Sequence, residues 1–263
     1  MQNPNGNKRQ TVSAAPGRVK SASPAAAAVL IVCLTACLAP ASRCQAAEVR
    51  SDDAGYTAMP AYAAYVLKTQ RPKLAAAFAA RGFKKYPPRR VTFIVIKEAR
   101  RLELWAQEGW SGPVWIKEYA VTALSGRPGP KLRQGDRQVP EGVYSVVRLN
   151  PDSDFDLSME LDYPNDFDRA AAAVDGRKKL GGDIFIHGGG VSAGCIAVGD
   201  DAVEELFTLV HDTGMENVRV VIAPRDFRQS TPHGTDLAHG ARWLKILYNW
   251  LDGELLQYVE KKM

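Results

Sequence analysis

Val91-Thr92-Phe93-Ile94-Val95-Ile96-Lys97-Glu98-Ala99-Arg100-Arg101-Leu102-Glu103-Leu104-Trp105 reads as two strands rich in β-branched and aromatic residues around a charged turn, the signature of a hairpin. Working outward, Trp115–Leu124 supplies a third strand and Gly142-Val143-Tyr144-Ser145-Val146-Val147 a fourth. Between them lie Ser125–Lys131, Gly135-Asp136 and Pro140-Glu141-Gly142, dense in turn residues, where Asp136 and Glu141 read as turn formers rather than general acids. Asp183–His187 is a short strand and Val218–Ile222 another. Asp201 with Glu204 forms a capping-box pattern that opens a helix running to about His211. These elements predict a β-rich α+β domain. Upstream, 47–90 reads as a helical segment, Ala-rich over Lys73–Arg81 and stopped at Gly82, followed by a linker at Tyr86–Arg90. Downstream, Trp243, Leu244, Ile246, Leu247, Trp250 and Leu251 have helical spacing and predict a packing helix within a tail of 227–263.

The 263 residues carry a formal charge of +5, yet residues 1–46 hold Lys8, Arg9, Arg18, Lys20 and Arg43 with no acid. The remainder balances 29 basic against 29 acidic residues, so no electrostatic footprint for nucleic acid survives outside the leader. That leader pairs a basic start with an apolar run from Ala25 to Ala39, shorter than a membrane-crossing helix requires, and reads as an export signal. Two exits are open. One is cleavage within Cys44-Gln45-Ala46-Ala47; the other begins at Leu34-Thr35-Ala36-Cys37, which resembles a bacterial lipobox with Cys37 as the lipidated residue. Either predicts an exported, periplasmic protein that meets a membrane only through its leader or a lipid anchor. Cys33, Cys37 and Cys44 all fall in the leader, which leaves Cys195 as the lone thiol of the body.

That thiol closes the segment Ile184-Phe185-Ile186-His187-Gly188-Gly189-Gly190-Val191-Ser192-Ala193-Gly194-Cys195-Ile196. A histidine stands at a strand end, the cysteine eight residues on, and four glycines let the loop turn back and bring imidazole to sulfur. A thiolate is the nucleophile, and a neighbouring imidazolium would stabilise it. The Gly194 and Cys195 N–H groups could form an oxyanion site, and a carbonyl near Gly188 could orient the base. The alternatives are a core cysteine beside a satisfied histidine, and a zinc site. His211, His233 and His239 are scattered and no paired-ligand spacing accompanies them, so neither metal nor cofactor is expected.

Ile186-His187-Gly188 followed by Ser192-Ala193-Gly194-Cys195-Ile196 resembles the catalytic motif of the YkuD-type L,D-transpeptidases. Gly129–Tyr144, ending in Pro140-Glu141-Gly142-Val143-Tyr144, is similar to the family's second signature, and Leu161-Asp162-Tyr163-Pro164-Asn165 with Asp168-Arg169 to a third. The likeness runs from about Val91 to Arg225 and points to the YafK-like branch, in which the His-to-Cys loop is short. It divides the chain into a leader (1–46), a helical segment (47–90), a catalytic domain (91–226) and a tail (227–263). It implies a mixed β-sandwich or barrel with a helix after the cysteine and helical extensions at both ends. It further implies Cys195 and His187 as catalytic residues, Gly194, Gly188 and Ser192 as orienting groups, and Lys131, Tyr144, Tyr163 and Asn165 as substrate contacts. The implied partner is a peptidoglycan stem peptide, usually bearing meso-diaminopimelate. Its acyl group passes either to an amine, as in transpeptidases, or to water, releasing a wall-linked lipoprotein. Most members carry His at the position of Ala193 and Arg at that of Ala197, and loss of those contacts favours water. A catalytically silent cell-wall binding module is the remaining reading.

Overall fold

A computed structural model describes residues 59–230 and 241–259, and the leader, including Cys37, lies outside the described residues. The described elements are four α-helices, α1 (Ala61–Ala80), α2 (Asp166–Val174), α3 (Asp200–Thr213) and α4 (Arg242–Leu255), a short 3-10 helix at Met215–Asn217, and nine strands. The strands are β1 (Arg90–Ile96), β2 (Arg101–Gln107), β3 (Val114–Ala120), β4 (Ala123–Leu124), β5 (Gly142–Ser153), β6 (Asp156–Leu161), β7 (Phe185–His187), β8 (Ile196–Ala197) and β9 (Val218–Ala223).

They form one sheet in the order β3-β2-β1-β9-β5-β6-β7-β8-β4. The two ends of that order, β3 and β4, are separated in sequence only by Val121 and Thr122, so the sheet must curl into a half-barrel. This corrects the single strand expected over Trp115–Leu124. At Thr122 the chain leaves β2, its N–H reaching the Ala197 carbonyl at 2.9 Å, and β4 continues along β8 at the far edge.

The unbroken apolar run of β1 has a direct cause. The strand lies between antiparallel β2 and parallel β9, and both of its faces are buried. Val91, Phe93 and Val95 join Val66, Leu74 and Phe78 of α1 and Leu206, Phe207 and Val210 of α3 in one core. Ile94 and Ile96 point the other way, into a second core with Leu244, Leu247, Tyr248 and Leu251 of α4. The tail helix therefore packs as its spacing suggests, although Ile246 and Trp250 face solvent and Tyr248 and Leu255 take the buried positions.

Local capping differs from the sequence reading. Helix α3 starts after Gly199, at φ 79°, with no side-chain cap. Glu204 instead bonds Tyr62 and Gln70 of α1, long-range partners that outcompete the local one. The capping box lies at α2, where Asn165 accepts the Asp168 N–H at 3.1 Å and Asp168 accepts the Asn165 N–H at 3.0 Å. Glu141, expected to be a turn former, is a buried ion-pair partner. Lys97 and Glu141 have side chains 1% and 0% exposed and meet at 2.9 Å. The Lys97 ammonium also donates to the Gly129 and Val139 carbonyls, and Glu141 accepts the Gly129 N–H and the Tyr248 hydroxyl. The turn-rich Gly129–Val139 loop is thus pinned to the β1 end and to α4 together.

Candidate active site

Strands β7 and β8 run parallel, and the glycine loop between them doubles back so that His187, at the end of β7, and Cys195, just before β8, line one cavity of about 210 Å³. The other walls are Asn150, Asp152, Ser153, Asp154 and Phe155 of the β5–β6 hairpin, with Ser158 and Phe185.

The loop is fixed from several sides. The Gly188 N–H donates to the carbonyls of Phe155 and Leu157, and a Cβ on Gly188 would sit 2.6 Å from Asp200 Oδ1 and 2.7 Å from the Phe155 oxygen. Only glycine fits there. The Gly189 N–H donates to Asp200 Oδ1 at 2.6 Å, and Thr122 Oγ1 donates to the Gly189 carbonyl at 2.8 Å. Ser192 Oγ donates to the Cys195 carbonyl at 2.6 Å and accepts the N–H groups of Ser125 and Gly194, so its role is to shape the loop. The Gly194 amide lies 3.4 Å from the Ser192 hydroxyl.

His187 is 4% exposed, and its Nδ1 lies 2.7 Å from the Gly188 carbonyl. With Nδ1 assigned as the donor in that bond, Nε2 carries the lone pair that a general base needs. Burial holds the imidazole below its ordinary value, the Gly188 carbonyl offsetting part of that. Burial pushes the Cys195 thiol above its ordinary value; the Phe185 amide and the Lys131 charge oppose the rise, and Asp183 adds to it. Burial thus disfavours the charged form of each group. The thiol points to the Asp183 carbonyl at 3.6 Å. Asp183 holds φ at 55°, the left-handed region that a short Asx side chain tolerates and that presents this carbonyl to the sulfur.

The four expected substrate contacts have other partners. Tyr144 is 2% exposed, its hydroxyl donating to the Glu141 carbonyl with Asp168 at 3.3 Å, and Tyr163 donates to the Leu180 carbonyl. Asn165 caps α2 and donates to the Val143 carbonyl. In the structure these three bond to neighbouring backbone groups, and none of them lines the cavity that holds Cys195. Lys131 bonds Asp136 at 2.5 Å and the Arg133 carbonyl at 3.1 Å, and of the four it alone exerts its charge on Cys195. Arg127 and Arg133 are exposed. Ala193 is exposed on the loop, whereas Ala197 is fully buried in β8 and cannot leave room for water in the cleft.

Sequence reasoning missed Phe155, whose ring lies 4.8 Å from the His187 ring at 39°, and Asp183 and Asp200, which act through backbone groups. The signal available for Asp183 was the Gly181-Gly182 pair before it, a mark of unusual backbone. Among the described residues no group of three or more His, Cys, Asp or Glu could hold a metal ion.

The model of the L,D-transpeptidase catalytic domain, YkuD, matches residues 90–222, half of the chain. The chain belongs to the YkuD L,D-transpeptidase family. Curated relatives include YafK of Escherichia coli K12 and of strain O157:H7, each named as an L,D-transpeptidase and 36% identical over 135 residues, which are 49% of this chain and 52% of the relative. The chain thus spans about half the length of the curated relatives it matches. Among solved structures, the helical cell shape determining protein Pgp2 of Campylobacter jejuni matches with a TM-score of 0.44 and 19% identity, covering 68% of this chain and 73% of that one. L,D-transpeptidase 1 of Mycobacterium tuberculosis matches at 0.31 and 11%, covering 51% and 62%.

Proposed function

We propose that this YkuD protein is an exported cysteine acyl-transfer enzyme acting on peptidoglycan stem peptides, and that it hydrolyses the bond it opens, as an amidase releasing a wall-linked lipoprotein would. The observation that carries the enzymatic reading is the pairing of His187, oriented through Nδ1 by the Gly188 carbonyl, with Cys195 in one cavity. A silent wall-binding module has no use for that pair.

The chemistry follows from the protonation states. His187 Nε2 takes the Cys195 proton as sulfur attacks the scissile carbonyl, forming a tetrahedral adduct. The imidazolium returns that proton to the departing amine, which leaves a thioester on Cys195. Water, deprotonated by the same Nε2, then attacks the thioester, and the thiol leaves with the proton that Nε2 took from the water. No charge has to be held in the resting site, consistent with its burial.

Asp152 and Asp154 on the cavity wall suit a stem residue that presents a free ammonium, in keeping with a diaminopimelate side chain. Ala193, exposed and without a polar group, offers an incoming amine nothing to bond, which supports water as the acceptor. The basic, apolar leader supports export. The test is incubation of the purified protein with muropeptides carrying a linked lipoprotein remnant and with tetrapeptide stems plus excess D-amino acid, read by mass spectrometry. Release of the remnant with a free carboxyl on the third residue is expected. Efficient D-amino acid exchange without release would overturn hydrolysis and make the protein a transpeptidase.

A further inference from the structure

Phe155 forms one face of the His187 environment yet is itself 44% exposed, so the core does not hold it in place. It sits at the tip of the β5–β6 hairpin, next to Asp156, which adopts φ 68°. Asp156 Oδ1 accepts the Tyr62 hydroxyl of α1, and the same phenol oxygen lies 3.0 Å from Glu204 Oε1 of α3. Helix α1 precedes the matched catalytic domain and supplies none of the cavity's lining.

We infer that Tyr62 is a positioning residue: by tethering Asp156 it holds the Phe155 ring against His187 and so sets how dry the imidazole is. The inference rests on the reading of His187 as the base. Docking of α1 does not require this hydroxyl. The helix buries Ala63, Val66, Leu67, Leu74 and Phe78 and joins Arg71 to Asp212 of α3 at 2.7 Å, whereas Tyr62 lies in its first turn, 45% exposed. What the hydroxyl adds is a donor for a carboxylate that has no other. Asp156 faces Asp200 and Glu204 of α3, and its Oδ2 is buried without a partner. Asp200 is committed to the Gly189 N–H and Glu204 to Gln70. Without the phenol donor, Asp156 meets two like charges and moves outward. Phe155, its neighbour in the chain, moves with it, and water reaches the imidazole.

The experiment is an NMR titration of the His187 imidazole in the full chain, assigned by loss of its signal in His187→Gln, for wild type, Tyr62→Phe, Phe155→Ala, the double variant and Arg71→Ala. Tyr62→Phe, isosteric at an exposed site, should raise the His187 pKa by about half a unit or more toward its ordinary value. Phe155→Ala should shift it the same way, and the double variant should shift no further than Phe155→Ala alone. Arg71→Ala loosens the same helix elsewhere and should leave the titration unchanged. A His187 titration in Tyr62→Phe identical to wild type, additive shifts in the double variant, or an equal shift in Arg71→Ala would overturn the inference. The titration uses no substrate, so its failure is separable from failure of the proposed activity.

Discussion

Replacing Lys97 by Met tests how the fold holds its catalytic face. The ammonium is 1% exposed and spends its three N–H bonds on Gly129 O at 2.8 Å, Val139 O at 2.8 Å and Glu141 Oε1 at 2.9 Å. Met fills a similar volume, so the loss is electrostatic rather than a cavity. It strands the Val139 carbonyl, while the Gly129 carbonyl keeps the Gln138 side-chain amide as donor, and it leaves Glu141 as a buried anion with the Gly129 N–H and the Tyr248 hydroxyl as donors. Removing one member of a buried pair costs about 3–5 kcal/mol, and those two surviving donors place the expectation near the lower end. Urea unfolding followed by tryptophan fluorescence should show a lower midpoint at unchanged slope. Arg148→Ala, which breaks the exposed pair to Glu160, supplies the contrast at under about 1 kcal/mol. Adding Glu141→Leu to Lys97→Met should recover only part of the loss, because the Gly129 N–H and the Tyr248 hydroxyl then lack their acceptor. A Lys97→Met loss no larger than that of Arg148→Ala would refute the reasoning.

Gly188→Ala, whose Cβ would press on the Phe155 carbonyl and the Asp200 carboxylate, should cost about 2 kcal/mol or more in urea unfolding and abolish turnover; wild-type activity would contradict the loop geometry. Burial pushes the Asp168 carboxyl up to about 6 from an ordinary 3.8, so the folded chain holds a proton that the unfolded chain releases, and wild-type stability should fall as pH rises through that window. Asp168→Asn should remove the fall and raise the pH 7 urea midpoint by the equivalent of up to about 3 kcal/mol, with the two proteins converging below pH 4; equal midpoints at both pH values would contradict it. Alkylation of Cys195 by iodoacetamide should follow a pH midpoint above that of an ordinary thiol, while the acid limb of kcat/KM should fall below the ordinary imidazole value; a thiol midpoint near neutrality would restore the ion-pair dyad.

The parts of the fold that sequence made legible were those with strong local patterns. The β1–β2 hairpin shows as apolar runs around Lys97–Arg101, and the tail helix shows in the spacing of Trp243, Leu244, Leu247 and Leu251. Strand β6 is only six residues long, and the alternation of Leu157, Met159 and Leu161 is its one local signal. The break at Thr122 left no mark because it depends on an Ala197 carbonyl 75 positions away in the chain. At the site, the proximity of His187 and Cys195 could be argued from glycine content. The resting charge of the dyad could not, since it is decided by burial, and burial depends on Phe155 and the hairpin tip. The surroundings of Tyr144, Tyr163 and Asn165 were not legible for a related reason: a motif marks residues that matter without saying which backbone groups they bond.

The central claim is that Cys195 carries the acyl group, and the most direct measurement is intact-protein mass spectrometry after acid quench of a reaction with a stem-peptide donor. Wild type should gain the mass of the donor less its leaving amine, localised to Cys195 by peptide mapping, and Cys195→Ala should gain nothing and release no product. Product released at an undiminished rate by Cys195→Ala, with no adduct on the wild-type protein, would contradict the account.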